Sequence, residues 1–154
     1  MKTRTILASL AMWLAGFALC FGADLNMGTW KLNEAKSKLA PGAPKNTTVV
    51  YAAAGDNVKV TVDGVDGEGK PAHNEWTGQF DGKEYPVTGD PNSDTRSYKR
   101  IDDRTLEFTG KKGGRVTVTG RVVVAADGKT RTVTAKAADA KGNMISTTTA
   151  YDKQ

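Results

Sequence analysis

Apolar and polar residues alternate with a period of two along most of this chain. Val58, Val60 and Val62 alternate with polar residues, and the same spacing recurs at Val116 and Val118. Such alternation is typical of a β-strand with one buried face. Because helical spacing is nearly absent, the pattern predicts an all-β protein.

Short turn motifs separate these segments, and they place about ten strands along the chain. Asp63-Gly64, Asp81-Gly82 and Lys141-Gly142 are examples of motifs whose residues tolerate the backbone angles of tight turns. The predicted strands span residues 28–33, 46–54, 57–63, 72–80, 83–87, 95–101, 104–111, 114–126, 129–138 and 143–152.

Short connections predict that strands adjacent in sequence pair antiparallel in an up-and-down order. Closure removes the exposed edges that a long meander would otherwise have. We therefore expect one antiparallel up-and-down β-barrel of about 8–10 strands. Gly120 lies in the middle of the longest predicted strand, where a missing side chain permits a sharp bend. A membrane barrel is not expected, because most strands are short and the outward faces are polar.

A predicted export signal precedes the barrel. Lys2 and Arg4 are followed by an apolar run that ends in small residues at Gly22, which is the layout of a secretory signal peptide. We expect residues 1–22 to be this signal peptide and residues 23–154 to form one lipocalin-like β-barrel domain. The expected location is therefore periplasmic or secreted.

Composition narrows the classes of partner. The 154-residue chain has 22 Lys and Arg residues against 17 Asp and Glu residues, and its formal net charge is +5. Because the basic residues are interleaved with acids, we expect a solvated surface and no nucleic-acid partner. The single cysteine, Cys20, lies in the signal, so no disulfide or cysteine metal site is expected. Leu19 before it is too large for a typical lipid-anchor signal. We expect a monomer without a cofactor.

Both ends of the predicted domain resemble lipocalins and the related fatty-acid-binding proteins. The stretch GTWKL from Gly28 resembles the Gly-x-Trp signature that opens their first strand, and AYDK around Tyr151 resembles the ending of the fatty-acid-binding proteins. The resemblance implies that Gly28 and Trp30 are structural and that Trp30 closes one end of the barrel.

A second resemblance covers nearly the whole predicted domain. The chain resembles small exported bacterial proteins described as lipocalin-like, through the motifs GTWKLN, AKSK, FDGKEYPVTG, DDRT, ADGKT and YDKQ in this order. This resemblance implies the same fold, and it brings no established function.

Two departures separate the chain from the fatty-acid-binding proteins. Those proteins insert a helix pair between their first two strands, whereas residues 34–45 here leave room for a loop with at most one helical turn. They also hold the ligand carboxylate with an Arg two residues before the final Tyr, and Thr149 stands there in this chain. Fatty-acid binding by that device is not expected.

The candidate ligand-binding residues come mainly from the middle strands. Trp76 and Phe80 share a strand face that we expect to be core, with contact to a ligand as the alternative. Arg96, Tyr98 and Arg100 share another face, which would suit an anionic amphipathic ligand if it pointed inward. An outward orientation is favoured, because burying two Arg residues without visible acid partners is costly. The predicted ligand-binding residues are Trp76, Phe80, Arg96, Tyr98, Phe108 and Tyr151.

Catalytic and metal sites have weaker support in the sequence. His73 and Glu75 share a strand face and could act as an acid/base or ligand pair, but a neutral surface pair is favoured because no other His or Cys lies in the domain. The DGVDGEGK segment lacks the acid spacing of a calcium loop, and we interpret it as a hairpin turn.

Three classes of function remain open. The first is an exported protein whose barrel binds a hydrophobic or amphipathic small molecule. The second is a filled barrel that acts through its loops as an inhibitor or envelope-associated factor. The third is an enzyme, which the missing catalytic constellation disfavours.

Overall fold

The computed structural model describes residues 23–138 and 141–154, and these residues form ten β-strands and no helix. The predicted signal peptide at residues 1–22 lies outside them. None of the described residues forms a helix that is long and apolar enough to cross a membrane. The strands are β1 (Gly28–Lys38), β2 (Lys45–Ala54), β3 (Asn57–Val65), β4 (Pro71–Gly78), β5 (Asp81–Thr88), β6 (Thr95–Asp102), β7 (Thr105–Lys112), β8 (Arg115–Val124), β9 (Thr130–Ala138) and β10 (Met144–Lys153).

The ten strands form one closed antiparallel barrel. Each strand pairs with its neighbours in sequence, and β1 pairs with β10 to close the sheet. Closure satisfies the backbone groups that an open sheet would leave at its two edges. The prediction of a single up-and-down antiparallel β-barrel is confirmed.

The first strand is longer than the sequence pattern predicts. β1 continues to Lys38, so the expectation of a loop from residue 34 is wrong for residues 34–38. Pairing with β10 shifts register between Asn33 and Lys38. At this irregularity the Ser37 hydroxyl donates to the Asn33 carbonyl oxygen at 2.7 Å and accepts the Ala150 amide at 2.9 Å. A polar side chain therefore bridges the two strands where the regular ladder is interrupted.

Inward-facing side chains fill the middle and one end of the barrel. At Gly120 the ring of Phe108 packs over the glycine, and a Cβ atom would clash with that ring and with the Thr134 carbonyl. The bend at this glycine stays a prediction, and what the structure shows there is a close approach of side chain to backbone. The buried cluster consists of Trp30, Val49, Tyr51, Val60, Val62, Trp76, Val87, Tyr98, Leu106, Val122, Val124 and Tyr151.

The segment before β1 covers the end of the barrel at which β1 begins, which we call the closed end. Trp30 is fully buried there, and its Nε1 donates to the Asn26 carbonyl oxygen at 2.9 Å. Lys153 Nζ donates to the Leu25 carbonyl oxygen at 3.2 Å. The opposite end, at which β1 finishes and β2 begins, is the open end.

Asp24 attaches this segment to the barrel wall through an ion pair with Arg100. Partial burial acts to raise the pKa of Asp24, but the hydrogen bonds from Asn26 and the pairing with Arg100 outweigh it and leave the pKa below its ordinary value. The carboxylate is therefore ionised at neutral pH.

Candidate functional site

Two arginine side chains, Arg96 on β6 and Arg131 on β9, are buried inside the barrel. Their exposed fractions are 8% and 3%. Buried guanidinium groups are rare unless they are paired, because desolvation of a charge is costly. Whether each guanidinium has a partner within the protein therefore decides whether it is available to an anionic ligand.

Arg96 has a complete set of partners. Its Nη2 is 2.9 Å from Asp90 Oδ2, and its Nη1 donates to Asn74 Oδ1 at 3.3 Å. Burial acts to lower the pKa of Arg96, but the neighbouring Tyr98 phenol and the Asp90 carboxylate raise it above its ordinary value. The charge of Arg96 is thus compensated within the protein.

The face that carries Arg96 and Tyr98 points into the barrel, so the favoured outward orientation is wrong. Arg96 and Tyr98 are buried and Arg100 is half-buried. The acid partners that make this possible are Asp90, in the loop before β6, and Asp24, before β1. Neither partner lies on a neighbouring strand, so strand alternation alone did not reveal them.

Arg131 differs from Arg96 because it has no carboxylate partner among the described residues. Its guanidinium carbon lies 4.7 Å from the ring centre of Trp30 and 4.9 Å from those of Tyr51 and Tyr151. Its Nε and Nη1 atoms are buried without a hydrogen-bond partner. Three aromatic rings therefore surround a buried cation that still has donors to offer.

Sequence reasoning missed Arg131, although a signal was present. Arg131 shares the strand phase of Val133 and Ala135, which alternate with Thr132 and Thr134 in the sequence as the apolar face of a strand does. A charged residue in the apolar phase of a strand indicates either a buried ion pair or a binding site. That signal could have been found from the sequence alone.

The structure brings most of the predicted ligand-binding residues together. The Trp76 and Tyr98 ring centres are 4.8 Å apart, those of Trp76 and Phe80 are 6.4 Å apart, and those of Tyr98 and Phe108 are 5.9 Å apart. Because these rings contact one another, side chains fill this part of the interior. Tyr151 lies apart from this group and beside Arg131, which is its register partner.

The inner wall near the open end is less filled. Val133, Ala135 and Ala137 follow Arg131 along the inner face of β9 and remain partly exposed, as do Thr147 and Thr149 on β10. A shallow depression of about 720 Å³ also crosses β7 to β10, but most of its lining, such as Arg121, Lys136 and Ser146, lies on the outer face of these strands, so it is not an interior cavity. We call the inner wall of small residues on β9 and β10 the open cup, and Arg131 and Tyr151 lie next to it toward the closed end.

Two buried phenols flank the Arg131 guanidinium. Burial raises the pKa of Tyr51 far above its usual range, and burial likewise raises the pKa of Tyr151. Both phenols therefore stay protonated at neutral pH and can donate hydrogen bonds. The Tyr151 hydroxyl donates to the Asn46 carbonyl oxygen at 3.0 Å.

The His73 cluster lies on the outer face of β3 and β4 and is exposed. His73 Nδ1 is 2.6 Å from Asp63 Oδ1, whereas its Nε2 is 3.5 Å from Glu75 Oε1. Glu75 also pairs with Lys59 at 2.9 Å. Within residues 23–138 and 141–154, no group of three or more His, Cys, Asp or Glu side chains is arranged to hold a metal ion.

We expect His73 to titrate above the ordinary pKa of histidine, because its hydrogen bond with Asp63 stabilises the protonated ring. The contribution of this hydrogen bond to the stability of the folded protein is present at low pH and is lost as the pH rises through the folded-state pKa of His73. His73 is the only histidine, so a two-dimensional NMR titration reports on it alone. Asp63→Asn should lower the pKa more than Glu75→Gln does, and the reverse order would contradict the assigned pairing.

The comparisons with known proteins show what the chain is similar to. No family model and no curated protein matches the sequence. The structure of EF1p2_mFAP2b bound to DFHBI is 11% identical, with 86% of this chain and 96% of that chain covered and a TM-score of 0.47. A redesigned beta barrel, mFAP1, bound to DFHBI, is 12% identical, with 84% and 95% covered and a TM-score of 0.43. At these values the similarity carries no argument about a ligand.

Proposed function

We propose that this protein is an exported binding protein that holds a small anionic, amphipathic molecule inside its barrel. The anionic group would bind Arg131, and the apolar body would lie in the open cup. The observation that carries the proposal is Arg131 itself, which is 3% exposed and has two nitrogen atoms without hydrogen-bond partners.

An anion at Arg131 would compensate a charge that the protein leaves uncompensated. Each contact between a guanidinium and an aromatic ring contributes about 2 kcal/mol when desolvated, so three rings offset much of the several kcal/mol that burial of an ion costs, but they leave Nε and Nη1 without hydrogen-bond acceptors. A carboxylate, sulfonate or phosphate can accept two parallel hydrogen bonds from a guanidinium. The protonated Tyr51 phenol would add a further donor beside the same anion.

The shape of the open cup supports a ligand with a small apolar body. Ala135 and Ala137 leave room on the inner wall, whereas Gly78 does not, because the rings of Tyr85 and Trp76 cover it. The rings of Trp76, Tyr98 and Phe108 fill the opposite part of the interior. The apolar body would therefore lie along β9 and β10 toward the open end, and a chain directed toward those rings would meet filled space.

Export is the part of the proposal that rests on sequence alone. The charged start and apolar run of residues 1–22 support a signal peptide. The absence of cysteine from the sequence after Cys20 is compatible with an oxidising compartment.

A second candidate function is a filled barrel that acts through its surface. The mutual contacts of Trp76, Phe80, Tyr98 and Phe108 favour it, since they occupy a region that a larger ligand would need. In this case Arg131 would only link Trp30 to Tyr51 and Tyr151. The two functions differ in whether removal of the Arg131 charge changes binding.

We expect anionic amphiphiles to bind with a stoichiometry near one and to change the tryptophan emission. Laurate and anilinonaphthalene sulfonate serve as anionic probes, and dodecanol serves as the uncharged one. Arg131→Met should weaken laurate binding by about tenfold or more, since a charge-assisted hydrogen bond contributes about 1.5–3 kcal/mol. Dodecanol binding should be unchanged. Isothermal titration calorimetry measures both.

Arg104→Met is the matched control, because Arg104 is exposed in the turn between β6 and β7 at the closed end. It should bind laurate as the unmodified protein does. Binding of laurate to Arg131→Met with unchanged affinity would show that Arg131 is structural. If no probe binds and native mass spectrometry of protein from its own host shows no companion, the filled-barrel function is the better account.

A further inference from the structure

We propose that the open end of the barrel docks onto an anionic lipid surface. At this end exposed apolar side chains lie among basic ones. The proposal is independent of Arg131 and of any ligand, because every residue that carries it lies on the outside of the barrel rim.

The apolar part of this surface consists of Val116, Ala138 and Met144. Val116 is 57% exposed and Met144 is 66% exposed. Ala138 pairs with Met144, and Val118 pairs with Ala137, so the three residues lie at the open ends of β8, β9 and β10. Strands are about 4.8 Å apart, which places Val116 and Met144 about 10 Å from each other.

Basic residues surround this apolar patch. Lys111 pairs in register with Val116 but its charge is compensated by an ion pair with Glu84, and Lys112 pairs in register with Arg115. Lys136 lies on the outer face of β9, two residues before Ala138 and closer to the closed end. Arg115 and Lys136 are exposed, and neither forms an ion pair with another described residue. We call the combined surface the basic rim; it consists of Lys111, Lys112, Arg115, Val116, Lys136, Ala138 and Met144.

Acidic side chains occur at both ends of the barrel, because the open-end turns carry Asp66, Glu68, Asp90 and Asp94 and the closed-end turns carry aspartates together with Arg104 and Lys129. The loops that join β2 to β3, β4 to β5, β6 to β7 and β8 to β9 each contain or border aspartate. The basic rim differs from both sets of turns because exposed cations without an ion-pair partner among the described residues adjoin exposed apolar side chains there, so we expect an anionic surface to attract this side of the open end. The closed-end aspartates are Asp56, Asp81, Asp102, Asp103 and Asp127.

The exposed apolar side chains favour a lipid surface over a nucleic acid. Binding to a phosphate backbone depends on cations and releases counterions, and exposed apolar side chains such as Val116 and Met144 do not contribute to it. At a lipid interface, apolar side chains insert at the boundary of headgroups and acyl chains while cations bind the headgroups. Docking through so small a patch should be reversible.

The test is flotation with vesicles of phosphatidylglycerol and phosphatidylcholine in equal parts, compared with vesicles of phosphatidylcholine alone. Arg115→Gln with Lys136→Gln removes two cations, and Val116→Ser with Met144→Ser removes the apolar part. The matched controls are Arg104→Gln and Val123→Ser near the closed end, where Val123 is 41% exposed. Thermal melting confirms that each variant is folded.

We expect binding to the anionic vesicles only, and weaker binding as salt rises. Removal of each cation from the basic rim should weaken binding to the anionic vesicles by about fivefold, which corresponds to about 1 kcal/mol. The Ser variants should also weaken it, and the controls should not. Arg131→Met should bind vesicles normally, which separates this proposal from the ligand site.

Three outcomes would overturn the proposal. Absence of binding to anionic vesicles would do so directly. Equal loss in the closed-end controls would mean that charge alone, without orientation, drives association. Equal binding of a DNA oligonucleotide, with no effect of the Val116 and Met144 changes, would identify the rim as a general polyanion surface.

Discussion

Replacing Trp30 with alanine is expected to lower the free energy of unfolding by about 3–5 kcal/mol, the range for removal of a buried large aromatic side chain. Trp30 has no exposed surface, and its indole donates to the Asn26 carbonyl oxygen at 2.9 Å. Its ring also lies 4.7 Å from the Arg131 guanidinium and 5.1 Å from Lys153 Nζ. The change removes packing, a hydrogen bond and two cation contacts together.

Urea unfolding followed by circular dichroism measures the loss. Trp30→Phe separates the contributions, because it keeps an aromatic ring and leaves the Asn26 carbonyl without its indole donor, at a cost of about 1–3 kcal/mol. Ile101→Ala is the control at an exposed position, where changes usually stay within about 0.5 kcal/mol. An unchanged midpoint for Trp30→Ala would mean that the closed end is not held by this residue.

The strands could be predicted because each of them carries its own local signal. The alternation at Val58, Val60 and Val62 requires only that one face of β3 be buried. The turns follow from residues that tolerate positive φ, as Gly82 and Gly128 do at φ values of 80° and 72°. Closure then follows from short connections, and no information about distant residues is needed.

The extension of β1 could not be predicted in the same way. Residues 34–38 lack apolar alternation, and their pairing with β10 depends on the Ser37 side chain, which bridges to Ala150. That contact joins residues 113 positions apart. A local sequence pattern therefore cannot predict this contact.

The candidate site was predictable only in part for the same reason. Trp76 and Tyr98 were both candidate ligand-binding residues, but the favoured outward orientation of Tyr98 would have separated them, and their rings are in contact. The orientation of Arg96 depended on Asp90, which lies in a loop and has no periodic position. Arg131 was visible as an exception in its strand, but its aromatic partners come from β1, β2 and β10.

Asp90→Asn is expected to destabilise the protein by about 3–5 kcal/mol, because it leaves the Arg96 guanidinium buried without a compensating charge. The side chains of Arg96 and Asp90 are 10% and 14% exposed, so solvent screens their interaction only weakly. Asparagine keeps an acceptor for the Asn92 amide, which now donates to Asp90 Oδ1 at 2.9 Å. The loss should therefore report the charge and not the turn.

Adding Arg96→Met to Asp90→Asn should recover most of that stability, since replacing both members of a buried pair is far less costly than removing one. Chemical denaturation of the two single variants and the double variant completes the cycle. Glu107→Gln is the exposed control, where loss of the pair with Arg121 should change stability by at most about 1 kcal/mol. If the double variant were as unstable as Asp90→Asn alone, the loss would come from the loop and not from an uncompensated guanidinium.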